Sequence, residues 1–153
     1  MPGCILCGRG ADFDVDSFLA SSPWSGVAKT FRRGPTGNAY RPVRKYSSLQ
    51  IAVSPIDEDL LEPQVDATLA FLRTYDAEVR RLVTLPRVDA VEFRIGLFWL
   101  PDTAIYPISL TPSFLKAVGD VGASRFSVAS VKGKAASSRT SRSERQRGEP
   151  VEA

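Results

Sequence analysis

Three groups of residues in this chain are of the types that do chemistry: a Cys4-x-x-Cys7 pair, a basic stretch from Lys29 to Tyr46, and an acidic cluster over 57–66. Cysteines at that spacing suit zinc binding or thiol redox chemistry. A structural zinc ion needs four protein ligands, and with no third cysteine and no histidine one chain cannot close the shell, which leaves only a site shared between two chains. A redox pair wants its first thiol at a helix N-terminus, where the dipole favours the thiolate. Here Gly8-Arg9-Gly10 follows the pair and the first helix begins too late. Cys4 and Cys7 therefore read as two small residues on a strand near its turn.

The basic stretch carries Lys29, Arg32, Arg33, Arg41, Arg44 and Lys45, with Phe31, Tyr40 and Tyr46 interleaved. Cations neutralise phosphates and aromatic faces stack on bases, so nucleic acid is one candidate ligand. The same residues also serve a solvated loop or one facing an acidic protein partner. The acidic cluster sits at the head of a helix, where negative charge meets the positive end of the dipole, and that role is preferred to a metal site. Gly34-x-x-Gly37 lacks both the Lys-Ser/Thr pair and the following helix of a phosphate loop.

No histidine occurs among the 153 residues. Its lack removes Ser-His and Cys-His nucleophile pairs, histidine-liganded metals and the usual general base near neutral pH. The expectation is a non-catalytic protein with no cofactor and no metal. The net charge of +3 is unevenly spread: −2 over residues 1–28, +6 over 29–46, −4 over 47–131 and +3 over 132–153.

These groups need elements to hold them, and the clearest stretch runs from Pro63 to Trp99. Val65, Leu69, Leu72, Tyr75, Val79 and Leu82 recur at steps of three and four, which predicts an amphipathic helix. After Pro86 the period changes, and Val91, Phe93, Ile95, Leu97 and Trp99 alternate as in a strand. Asp59 or Glu62 is the expected cap of that helix. Earlier in the chain, Cys4–Cys7, Val27–Phe31 and Ser48–Val53 read as strands, with a short helix capped by Asp14 or Asp16 after the first. The Gly/Pro punctuation over 32–46 predicts a loop or a wide hairpin connection. Thr111-Pro112 opens a later short helix, and Arg125–Val131 makes a last strand. Phe98 and Leu100 make the second face of their strand apolar as well, which predicts a covered end or a sticky patch.

The longest apolar run, Ile95 to Leu100, is far short of the ~20 residues of a membrane-crossing helix. No signal-peptide pattern opens the chain, and two close cysteines without one fit a reducing compartment. The expected localisation is cytoplasmic, with no membrane association. The expected fold class is α+β: an antiparallel sheet with two main helices on one face, in ferredoxin-like β-α-β-β-α-β order, plus an added short helix and strand. It occupies 1–131 as a single domain, followed by a disordered, basic Ser/Arg-rich tail over 132–153.

Particular residue runs carry a resemblance. Cys4-Ile5-Leu6-Cys7-Gly8 leads to Phe13-Asp14-Val15-Asp16-Ser17-Phe18-Leu19, and Arg33-Gly34 lies in the basic stretch. Ala70-Phe71-Leu72 precedes Val88-Asp89-Ala90-Val91-Glu92-Phe93, and Thr111-Pro112-Ser113-Phe114-Leu115 comes late. Together these resemble the bacterial domain of unknown function 4279 family over residues 3–131. The resemblance implies a small cytoplasmic α+β protein without an assigned activity, some relatives having immunity-type roles beside bacterial toxins. It carries over no functional residue, and the long tail departs from the family's usual ending.

Taken together, the residues favour a non-catalytic protein-binding domain, immunity-like in kind, using an exposed sheet face or the basic loop. The candidate contacts are Lys29, Arg32, Arg33, Arg41, Arg44, Lys45, Phe98 and Leu100. A nucleic-acid-associated protein using the 29–46 loop is the alternative, and an enzyme comes third. No partner is named by the sequence, and it leaves the oligomeric state open.

Overall fold

A computed structural model describes residues 3–55, 60–99 and 108–132, with the side chains at 41, 42, 98, 99 and 130–132 left outside the description. The strand β1 (Gly3–Gly10) lies at the middle of the sheet. Successive strand residues point to opposite faces, so Cys4, Leu6, Gly8 and Gly10 share one side, and Ile5, Cys7 and Arg9 the other. Cys4 and Leu6 are wholly buried in the core.

β2 (Lys29–Phe31), β5 (Ser47–Ala52) and β6 (Ala90–Trp99) join β1 in the order β2-β5-β1-β6, each neighbouring pair antiparallel. With α1 (Val15–Ala20) and α2 (Leu61–Thr84) in the crossovers, this is the β-α-β-β-α-β arrangement expected from the sequence. The added strand β7 (Arg125–Lys132) pairs with β6 in parallel, so the sheet is mixed rather than wholly antiparallel. The cause is the connection: a crossover containing α3 (Pro112–Asp120) brings the chain back to run in the same sense, whereas a hairpin would have reversed it. The segment expected as a loop or wide hairpin connection forms a second, two-stranded sheet of β3 (Gly34–Asn38) and β4 (Arg41–Arg44). Gly34 and Gly37 adopt φ of 127° and 70°, so the residues that read as loop punctuation let this ribbon turn.

The helical stripe packs as its spacing requires. Val65, Leu72, Val79 and Leu82 are buried, and Leu69 and Tyr75 are half-buried against the same core. Each large side chain so buried contributes ~1.5–3 kcal/mol before entropy is subtracted. The cap differs from expectation: Leu60 occupies it, with no side-chain capping bond, while Glu62 lies in the first turn. Asp59, the other expected cap, falls outside the described residues. Two polar residues are also fully buried on α2. Gln64 Nε2 donates to the Gly96 carbonyl at 2.7 Å, and Thr68 Oγ1 donates to the Gln64 carbonyl at 2.8 Å.

The other helices lean on the same core. Asp14 caps α1 through the Ser17 N–H, and Thr111 caps α3 through the Phe114 N–H, with Pro112 tolerated in the first turn. Trp24, beyond α1, packs against Phe18, Phe71 and Tyr75, tying α1 to α2. Phe114 meets Phe126 edge-on at 5.4 Å between ring centres, tying α3 to β7. Apart from Lys132, which ends β7, the expected tail over 132–153 lies outside the described residues.

Candidate functional site

Most buried side chains of the sheet, among them Leu6, Leu49, Ile51, Val91, Phe93 and Ile95, point to the side that packs with the helices, while Cys7 and Glu92 are buried on the other. The alternate residues form the opposite face, on which no helix packs among the described residues. Strand register sets its layout. One row runs Lys29, Gln50, Cys7, Glu92, Arg125 across all five strands; the next on one side holds Phe31, Ser48, Arg9 and Ala90. On the other side Ala52, Ile5, Arg94 and Ser127 line up. With strands ~4.8 Å apart, Lys29 and Arg125 stand about 19 Å from each other across the face.

The charge on this face is one-sided. Arg9, Lys29, Arg94 and Arg125 project from the strands, and Arg44 reaches in from β4, its guanidinium 4.5 Å from the centre of the Phe31 ring. Lys29 Nζ lies 5.5 Å from the same ring, and the Arg9 guanidinium 5.9 Å from that of Tyr46. Glu92 is the one carboxylate among the described strand residues of this face. It is already engaged: its Oε2 accepts from Arg94 at 2.8 Å and its Oε1 from Ser127 at 2.7 Å. Burial pushes the Glu92 carboxyl upward, but these hydrogen bonds and the nearby guanidinium charge outweigh it and hold it below its ordinary value. Arg9, Lys29, Arg44 and Arg125 form no ion pair among the described residues, although the Arg9 charge contributes to lowering the Glu92 pKa.

The helical side is charged as well, but there all the bases of α2 and α3 except Arg73 are paired with acids. Arg80 pairs with Asp76 at 2.8 Å, Arg81 with Glu78 at 2.6 Å, and Lys116 with Asp120. Arg32 and Arg33, two of the six basic-stretch candidates, are also spent this way. Arg32 pairs with Asp16 in the first turn of α1, and Arg33 with Asp12 in the loop before it at 3.1 Å, so both are held at the start of that helix. The basic stretch is thus divided: Lys29 and Arg44 belong to the face, Arg32 and Arg33 to structural pairs, and Lys45 is exposed beside it. The Arg41 and Phe98 side chains and all of Leu100 lie outside the description. Arg9, Arg94 and Arg125 were not among the expected contacts, each being a lone base in its local sequence. Alternation with Cys7, Glu92 and Ser127 is the signal that places them on one face.

The two thiols are separated by the same alternation. Cys4 lies in the core and Cys7 on the open face, on opposite sides of one strand, so neither a disulfide nor a common metal ion joins them. Burial pushes the Cys4 thiol up to about 11, with Thr68 offsetting part of the rise. Burial also raises Cys7, against the pull of the neighbouring Arg94. No group of three or more Cys, Asp or Glu among the described residues is arranged to hold a metal ion. A shallow groove of about 410 Å³ lies between α2 and α3, floored by Leu69, Leu72, Ala117 and Val121 and edged by the Arg80–Asp76 pair; neither thiol lines it. No helix among the described residues is long and apolar enough to cross a membrane. No protein-family model, no curated protein and no solved structure matches this chain.

Proposed function

We propose that this chain is a non-catalytic protein-binding domain that offers the sheet face opposite its described helices to a partner. The observation that carries this reading is a contrast between the two sides among the described residues: on the helical side Arg80, Arg81 and Lys116 each pair with an acid, whereas on the open face only Arg94 does, and Arg9, Lys29, Arg44 and Arg125 form no ion pair. A surface of this kind fits recognition better than bond-making, since its thiol is buried with a raised pKa and its carboxylate is locked in an ion pair. Free cysteines fit residence in a reducing compartment such as the cytoplasm. Membership of the domain of unknown function 4279 family, and an immunity-like role with it, belong to the same proposal and rest on the residue runs quoted above.

The test is steric and leaves charge untouched. Ala52→Trp places a bulky ring on the exposed end of β5, on the open face, and Ala70→Trp does the same on the exposed side of α2. Affinity-tagged full-length chains are recovered from cells of the source organism and their co-purifying proteins compared. A partner held by wild type and by Ala70→Trp but lost from Ala52→Trp is the expected result. Loss from Ala70→Trp alone would place the interaction on the helices and end the proposal.

A further inference from the structure

We infer that the open face takes an acidic protein segment, laid across the strands between Lys29 and Arg125. This rests on the proposed use of that face and adds the chemistry of its occupant. Charge complementarity is the first ground. Arg9, Lys29, Arg44 and Arg125 converge from four strands far apart in sequence, and Glu92 in their midst is neutralised by Arg94. A carboxylate-rich surface would meet positive groups on both sides of the central Cys7–Glu92 row and, among the described strand residues, no competing free acid.

The rings decide between an acidic protein and a single-stranded nucleic acid. Non-specific recognition of single strands relies on aromatic faces free to stack on bases. Here Phe31 carries both Arg44 and Lys29, and Tyr46 carries Arg9, so the two rings at the face hold cations in place, while Tyr40, exposed at the β3–β4 turn, carries none. Cations pinned on rings lose less side-chain freedom when an anion arrives, which favours carboxylate capture. A base would have to displace them first.

The experiment uses the full-length chain labelled with ¹⁵N and two probes of matched charge, poly-L-glutamate and poly-dT, each titrated at low salt and at about 150 mM salt, where the Debye length falls to ~8 Å. Poly-L-glutamate is expected to shift amides of β1, β2, β5 and β7 and to bind more tightly than poly-dT. The double variant Lys29→Glu/Arg125→Glu, both residues exposed, should weaken poly-L-glutamate binding by about tenfold or more, and Arg73→Glu on α2 should leave it unchanged. Tighter binding of poly-dT to the same face would overturn the inference in favour of nucleic acid. No binding of poly-L-glutamate at low salt would also overturn it, and a partner still lost from Ala52→Trp would then keep the face reading alone. Shifts confined to the helices or to residues 133–153 would overturn both.

Discussion

A methyl group on Gly10 would lie 1.8 Å from the carbonyl oxygen of Arg87. The end of β1 and the turn entering β6 touch there, backbone to backbone. Arg87 itself adopts φ of 72°, and the next residues are stitched to β1: Asp89 N–H donates to the Arg9 carbonyl at 2.8 Å and Asp89 Oδ2 accepts from Ala11 N–H at 2.9 Å. Because the obstacle is backbone, no side-chain rotation relieves it. Gly10→Ala should cost about 2–3 kcal/mol in urea unfolding. Gly26→Ala, with nothing within 4 Å of the added carbon, should stay within about 0.5 kcal/mol. Equal midpoints for the two variants would refute the close approach.

Gln64 offers a second check, on the helix–sheet contact. Its amide is wholly buried and donates to the Gly96 carbonyl, so Gln64→Leu keeps the volume but strands that oxygen away from water. The expected loss is about 1–3 kcal/mol. A gain in stability, which an apolar residue would bring if the position simply faced the core, would show that the hydrogen bond is misplaced.

The thiols should be inert in the folded chain. Cys4 is raised from 9.0 to about 11 by burial, and Cys7 is raised in the same direction. Iodoacetamide near neutral pH should alkylate both at least about tenfold more slowly than in denaturant. A raised folded pKa also contributes stability that is intact below pH 9.0 and declines as pH climbs to about 11. Rapid, selective alkylation of Cys4 in the native protein would contradict its placement in the core.

Acid acts in the opposite sense through Glu92. Its folded pKa lies below the ordinary 4.5, so its contribution is complete above that value and fades as pH drops through the folded one. Glu92→Gln should lower stability at pH 7 by about 1–2 kcal/mol, since Arg94 and Ser127 lose a charged acceptor. It should also flatten the decline below pH 4.5. An unchanged acid limb in the variant would show that other carboxylates govern it.

The parts of this fold legible in the sequence are those governed by side-chain period. The stripe from Val65 to Leu82 and the alternation from Val91 to Leu97 both pack as their spacing dictates, because burial rewards one face and not the other. Gln64 and Thr68 escape that logic: polar residues read as solvent-facing, yet each bonds a carbonyl within the core. The parallel sense of β7 was illegible for another reason, since alternation in Phe126 and Val128 says which face is apolar and nothing about strand direction. The β3–β4 ribbon was legible only as a loop or a wide hairpin connection, because its glycines and prolines read as punctuation rather than as strand.

The candidate surface was half legible. Composition drew attention to six bases packed into 29–46, but proximity in sequence is a poor guide to a sheet face, where neighbours come from distant strands. Asp12 and Asp16 claimed Arg33 and Arg32, while Arg9, Arg94 and Arg125 arrived singly from β1, β6 and β7. Only the pairing register brings them together.

The most direct measurement places a photo-activatable crosslinking residue at Gln50, in the central row of the open face, or at Arg73, exposed on α2, in the full-length chain within cells of the source organism. A discrete protein adduct from position 50 and none from position 73 is the predicted result. Adducts from position 73 with none from position 50 would contradict the assignment of this face.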